Sequence, residues 1–177
     1  MKELIAVVAT ILLVALIVMQ NTPQDTLQAL PELPRFHVED VTRMTIRQQG
    51  EPILEGKREE NRWRLAGGDE PVYLDALVVE QLLLDLQSMK AKRIVSKKTE
   101  QFSRFSVADD EVVLQDKQGN ILLDVFIGKP ATDLTSTYIR LADQQLILAV
   151  DKVLTWQVKR SQDAWLATTE AKDAPAE

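Results

Sequence analysis

The chain begins with a long apolar run that carries no charged side chain. The run covers residues 4–19, and eleven of its sixteen residues are Leu, Ile or Val. A helix of that length measures about 24 Å, which is close to the roughly 30 Å hydrocarbon core of a bilayer. We therefore expect residues 1–20 to form a transmembrane anchor, with Leu4, Ile11, Leu16 and Met19 inside the bilayer.

The same run could instead be a signal peptide that is removed after export, or a buried helix of a soluble protein. Signal peptidase requires small residues at the third and first positions before its cleavage site, and no such pair occurs in residues 16–30. A core helix that has no polar face is rarely found at a chain terminus. The sequence therefore favours a retained signal anchor.

Flanking charges predict the orientation of this anchor. Lys2 precedes the run, whereas the first basic residue after it is Arg35. Because basic flanks tend to stay on the cytoplasmic side, we expect the C-terminal domain to face outward, which for a single-pass protein of the bacterial inner membrane means the periplasm.

The remaining chain divides by composition into a stalk, one domain and a tail. Residues 21–35 contain three prolines and no sustained periodicity, which predicts a stalk. Residues 36–166 are long enough for one domain, and residues 167–177 are small, polar and acidic, which predicts a disordered tail. The formal net charge of −6 argues against a general affinity for nucleic acid or anionic lipid.

Alternation of apolar and polar residues with a period of two predicts the strands of this domain. Three such segments within residues 41–65 predict an antiparallel meander, and two further pairs with turns at 117–120 and 142–144 predict hairpins. A second helical segment is expected at about 152–166. We therefore expect an α+β fold in which antiparallel hairpins and meanders pack on one main helix plus a C-terminal helix, after the N-terminal transmembrane helix.

The main helix is predicted after Asp75, which is a favourable N-cap. The apolar residues that share one face, about 160° wide, should pack on the sheet. They are Ala76, Val78, Val79, Leu82, Leu83, Leu86 and Met89. Leu77 and Leu84 lie outside this face, so either a nearby loop or strand covers them or they form a docking ridge for a partner.

A basic run follows the helix. It contains Lys90, Lys92, Arg93, Lys97 and Lys98, and no acidic residue lies within 90–98. Such a run is usually a solvated face, and basic residues also suit the carboxyl end of a helix. The alternative is a contact surface for an acidic protein partner.

Residues that common active sites require are scarce. His37 is the only histidine and there is no cysteine, so we expect no metal site, no cofactor and no cysteine-based active site. No G-x-S-x-G motif or phosphate-binding loop occurs. The carboxylate pairs, such as Glu59 and Glu60, are sequence neighbours rather than groups that face each other across a cleft. We therefore expect a protein that is not an enzyme.

Four motifs carry a resemblance to a known family. They are the strand "NRWRL", the acid-started helix "YLDALVVEQLLLDLQSMKAKRIV", the strand "VVLQDKQGNILLDVFIGK" that contains Ile127 and Gly128, and "STYIRL". Over about residues 41–150, with a further stretch to Trp165, the chain resembles the DUF4340 family of bacterial envelope proteins. The resemblance implies a membrane-anchored α+β domain of unassigned biochemistry, sometimes encoded beside ABC-type transporter components, and it supplies no catalytic residues.

These features lead to two functional hypotheses. The first is a membrane-anchored periplasmic accessory module of an envelope or ABC-type transporter complex, which contacts its partner through Leu77, Leu84 and the basic run. The second is a periplasmic domain that binds a small molecule or glycan in a groove between the sheet halves, through Trp63, Tyr138 and Arg140.

Overall fold

The structure is a computed structural model that describes residues 29–67 and 70–167. The predicted anchor at residues 1–20, the first part of the predicted stalk and nearly all of the predicted tail lie outside the described residues. Within the described ranges, no helix is long and apolar enough to cross a membrane.

In the described residues, eight strands form one antiparallel sheet that is covered on one face by a long helix. The strands are β1 (Arg43–Gln48), β2 (Glu51–Glu59), β3 (Arg62–Leu65), β4 (Ala91–Ser96), β5 (Glu111–Gln115), β6 (Ile121–Pro130), β7 (Thr137–Leu141) and β8 (Ile147–Val150). They pair in the order β3-β2-β1-β5-β6-β7-β8-β4. The helices are α1 (Ala76–Ser88), α2 (Phe102–Phe105) and α3 (Thr155–Val158), and 3₁₀ turns occur at Val38–Asp40, Thr99–Gln101 and Gln162–Trp165. The antiparallel α+β architecture predicted from the sequence is confirmed.

The predicted meander and both predicted hairpins are present. β1, β2 and β3 are consecutive antiparallel neighbours, as are the pairs β5–β6 and β7–β8. Local turn chemistry fixes these connections: Glu60 and Asn61 adopt the positive φ values of a two-residue hairpin turn. In the β5–β6 turn, the Asp116 carboxylate accepts hydrogen bonds from the backbone N–H groups of Gln118 and Asn120.

Helix α1 begins where the sequence predicts. The Asp75 carboxylate accepts hydrogen bonds from the backbone N–H groups of Leu77 and Val78, at 2.9 and 3.2 Å, which satisfies two donors that the first turn leaves unpaired. The buried residues of the helix are Val79, Leu82, Leu83 and Leu86, all from the predicted inner face. Ala76 and Val78, at the start of that face, are exposed and half-buried respectively.

The sheet has a core on each face. The larger core lies between the inner face and α1, and it contains fully buried residues such as Trp63, Leu82, Ile139 and Trp165. The smaller core lies on the outer face of β7 and β8, beneath the α2 turn. Its buried members are Val107, Ala131, Tyr138, Ile147 and Ala149.

Two segments differ from the sequence prediction. The single C-terminal helix expected at 152–166 is wrong in extent, because only α3 and the last 3₁₀ turn are helical and Ser161 between them is extended. The Gln48 side-chain amide donates to the carbonyl oxygens of Val158 and Arg160, which occupies acceptors that a continuing helix would use. The helix motif quoted for the family resemblance extends to Val95, but α1 ends at Ser88 and residues 91–96 of the basic run form β4 at one edge of the sheet.

Candidate functional site

Leu77 and Leu84, here called the leucine ridge, are exposed on the outer face of α1. Their exposed fractions are 79% and 51%, whereas the side chains on the opposite face of the helix are fully buried. They lie seven residues apart, which places them on the same side of the helix about 10 Å from each other. The described residues leave the ridge uncovered, so the loop or strand considered as a cover is not found among them.

A cavity of about 380 Å³ lies beside the N-terminal end of the leucine ridge. Its lining includes Trp63, Tyr73 and Leu77. The Trp63 side chain is only 2% exposed, and its indole N–H has no hydrogen-bond partner in the described part of the chain. An exposed apolar surface next to a cavity is an arrangement that protein interfaces use.

The five basic residues predicted as a contact surface, here called the basic edge, lie on β4 and at its two ends. Lys90, Lys92, Arg93, Lys97 and Lys98 are all exposed. Among the described residues, only Lys92 of these five forms an ion pair, with Asp133 at 3.1 Å. Hydrogen bonds from Ser136 and Lys92 hold the pKa of Asp133 down at about 2, so the pair stays charged at all ordinary pH values.

The two edges of the sheet differ in how they are covered. β3 is flanked by residues 72–74, because Leu65 N–H donates to the Val72 carbonyl oxygen and Leu74 N–H donates to the Trp63 carbonyl oxygen. β4 pairs with β8 alone among the described strands, with two register shifts. Charged side chains and irregular register are features that keep an edge strand from pairing with other strands.

The three residues of the predicted ligand groove do not lie together. Trp63 is on β3 and belongs to the inner core, whereas Tyr138 and Arg140 are on the outer face of β7, with four strands between β3 and β7. Trp63, Tyr138 and Arg140 are 2%, 5% and 9% exposed. These three residues therefore do not form one common groove. Binding of a small molecule or glycan stays a prediction.

Arg140 holds the outer-face turn against the sheet. Its guanidinium lies 4.6 Å from the ring centroid of Phe102 and 4.0 Å from that of Phe126, and its Nε donates to the Val107 carbonyl oxygen at 3.0 Å. Cation–π contacts of this kind are strengthened by burial. Arg140 is therefore buried because it packs against the two rings and bonds the Val107 backbone.

A charged cluster that sequence reasoning missed crosses the outer face of β1, β5 and β6. Arg47 is paired with Glu111, and Asp124 on β6 lies close to both Glu111 and Arg140. Burial of the Asp124 carboxyl, together with the charge and hydrogen bonding of Glu111, raises its pKa from 3.8 to about 6. One signal for this cluster was present in the sequence, because Asp124 lies between the apolar residues Leu122 and Phe126 on the outer face of the same strand.

The family match agrees with the motifs found in the sequence. Residues 63–177, well over half of the chain, match the family model described as Domain of unknown function (DUF4340). The chain belongs to the DUF4340 family. No curated protein and no solved structure matches the chain.

The DUF4340 match begins at Trp63 in β3, later than the resemblance expected at 41–150, and it extends further toward the C terminus. It therefore includes the leucine ridge, the basic edge, Glu111 and Asp124. Arg47, the partner of Glu111, lies on β1 before the matched part of the DUF4340 chain.

Proposed function

We propose that this DUF4340 protein is a membrane-anchored accessory module that docks a protein partner of a bacterial envelope or ABC-type transporter complex through the leucine ridge. In this proposal residues 1–20 form a single span in the inner membrane, and the domain lies in the periplasm. The apolar run at residues 4–19 supports the anchor. The proposal gives the domain a binding role and no catalytic step.

The observation that carries the docking proposal is the exposure of two leucines on an otherwise polar helix face. Glu80, Gln81 and Ser88 surround the leucine ridge and are exposed too. Single exposed leucines are common on protein surfaces, but this pair is aligned along one helix and adjoins a cavity at Leu77. Burying one leucine side chain completely contributes about 1.5–3 kcal/mol. A partner that covers the leucine ridge with an apolar helix face would therefore obtain much of its binding free energy from these two side chains.

The test is a double substitution, Leu77→Glu with Leu84→Glu, in the full chain. We expect the co-purified partner to be lost from gentle detergent extracts while the melting temperature changes little, because both side chains are already exposed. A matched control replaces two exposed apolar residues elsewhere, Ile121→Glu with Leu134→Glu, whose exposed fractions are 60% and 76%.

Two results would contradict the docking proposal. If the Leu77→Glu/Leu84→Glu protein loses its cooperative melting transition, the ridge belongs to the core. If the control variant loses the partner to the same extent, the effect comes from added charge and not from the ridge. The membrane topology is tested separately with reporters fused to the C terminus, and activity of a cytoplasmic reporter would rule out the periplasmic location.

A further inference from the structure

We propose that the basic edge lies against the anionic lipid headgroups of the bilayer that holds the anchor. This proposal rests on the anchor of the proposed function. It goes further, because an anchor alone does not determine which face of a domain meets the membrane.

The first described residues are fixed beside the start of β4. The Gln87 side-chain amide donates to the Phe36 carbonyl oxygen at 3.0 Å, and Phe36 is 7% exposed. A groove of about 480 Å³ is lined by residues 30–35 on one side and 87–91 on the other, and Lys90 of the basic edge is part of this lining. The chain therefore joins the domain at the end of α1 from which β4 begins.

The connection between the apolar run and this point is short. Nine residue steps separate Gln20 from Ala29, the first described residue. A fully extended chain covers at most about 3.6 Å per residue, so these steps span no more than roughly 32 Å. With the proposed anchor in the bilayer, the first described residue therefore lies within roughly 32 Å of the membrane surface whatever conformation the connection has.

The basic edge carries five basic side chains in an acidic protein, with Glu100 two residues beyond Lys98. Lys92 is paired with Asp133, and the Asp151 carboxylate accepts a hydrogen bond from the backbone N–H of Lys90. Arg93, Lys97 and Lys98 form no ion pair within the described residues. Basic side chains within about a Debye length, roughly 8–10 Å, of an anionic bilayer are attracted to it.

Protection of an edge strand explains only part of this pattern. Charges on β4 keep other strands from pairing with it, and Lys92 and Arg93 serve that purpose. Lys97 and Lys98 follow Ser96, the last residue of β4, and have no strand to protect. The net charge of −6 disfavours a general attraction to lipid, but the proposed tether confines this edge to within reach of the bilayer, where the local charge acts rather than the net charge.

The absence of cysteine allows a direct test with single labels on the full chain in vesicles. Thr99→Cys places a fluorophore beside the basic edge, and Glu55→Cys places one on β2 across the sheet. Vesicles contain phosphatidylcholine with or without phosphatidylglycerol and a headgroup-attached quencher. With anionic lipid, we expect the Thr99 label to be quenched more strongly than the Glu55 label. High salt should lower the ratio of quenching at Thr99 to quenching at Glu55 at least about twofold.

A charge-removal variant and a matched control complete the experiment. Arg93→Gln/Lys97→Gln/Lys98→Gln should reduce the quenching ratio at least about twofold in anionic vesicles. Arg43→Gln/Lys117→Gln/Lys129→Gln removes three exposed charges from β1, the β5–β6 turn and β6, and it should leave the ratio unchanged.

Each possible failure has a distinct meaning. Equal quenching of the two labels in anionic vesicles, or a ratio that the basic-edge variant does not change, would overturn this proposal alone. Failure of the unsubstituted chain to float with neutral vesicles would overturn the anchor and this proposal with it. Loss of a co-purified protein from the basic-edge variant, without any dependence on lipid, would overturn the lipid assignment and give the basic edge to an acidic protein partner.

Discussion

Gly128 shows how one residue of β6 permits the outer-face turn to approach the sheet. A Cβ at this position would overlap the Phe105 carbonyl oxygen and would lie 2.7 Å from the Val107 side chain. The Gly128 carbonyl oxygen also accepts a hydrogen bond from the Thr155 hydroxyl at 2.8 Å. The glycine that ends the Ile127-Gly128 motif is therefore a packing requirement between β6 and the α2 turn.

The surroundings of Asp124 disfavour the charged form of its carboxyl. Its carboxyl ordinarily titrates near 3.8, and its pKa is raised to about 6 by burial and by the neighbouring Glu111. Between these two pH values the unfolded chain has released this proton while the folded protein still binds it. The contribution of Asp124 therefore lowers the free energy of unfolding as the pH rises from about 4 to 6.

We expect Asp124→Asn to stabilise the protein at pH 7 and to flatten this part of the pH profile. Two pKa units correspond to about 2.7 kcal/mol, and partial exposure of Asp124 and its interaction with Glu111 reduce the expected gain to about 1–2 kcal/mol. The measurement is urea unfolding at a series of pH values. Asp143→Asn, at an exposed turn, controls for the loss of one negative charge, and an equal effect of the two substitutions would contradict the prediction.

At the scale of elements, the sequence predicted what depends on local signals. The Asp75 cap, the 3.6-residue period and the turn residues define α1 and the hairpins within short stretches of chain. β4 could not be predicted in this way, because its partner β8 is about fifty residues away and because basic residues hide its alternation. The leucine ridge followed from the helix period, whereas the cluster of Arg47, Glu111 and Asp124 depends on strand register, which one sequence does not reveal.

The start of α1 offers a test of the capping assignment. We expect Asp75→Ala to lower the free energy of unfolding by about 1 kcal/mol, because two backbone N–H groups lose their acceptor. Asp75→Asn keeps an acceptor oxygen and should restore most of the stability. Glu80→Ala removes an equal charge from the exposed face of the same helix, and a loss as large as that of Asp75→Ala would argue against capping as the cause.

At the scale of the whole molecule, both ends of the described chain pack beside α1. Near the C-terminal end of the helix, Gln87 binds the Phe36 carbonyl oxygen. Near its N-terminal end, Asp75 N–H donates to the Trp165 carbonyl oxygen at 2.8 Å. Segments far apart in sequence thus complete one core, because Phe36 is buried and residues 30–35 line a groove with the C-terminal end of the helix.

Two tryptophans near the C terminus test this closure. We expect Trp165→Ala to cost about 3–5 kcal/mol, because the side chain is fully buried in the inner core. Trp156→Ala, at a position that is 71% exposed, should change the free energy of unfolding by less than about 0.5 kcal/mol. Both values come from denaturant unfolding, and similar losses for the two variants would show that the last segment is not part of the cooperative unit.

The attachment of the two chain ends to opposite ends of α1 has a practical consequence. The helix has 13 residues and is therefore about 20 Å long, and Ala167 leaves the fold next to Tyr73 at its far end. α1 thus separates the place where the first described residues pack from the place where the last described residue lies. An affinity tag or fluorescent protein joined directly after Ala167 would therefore start at the end of α1 opposite to the end where residues 30–36 pack.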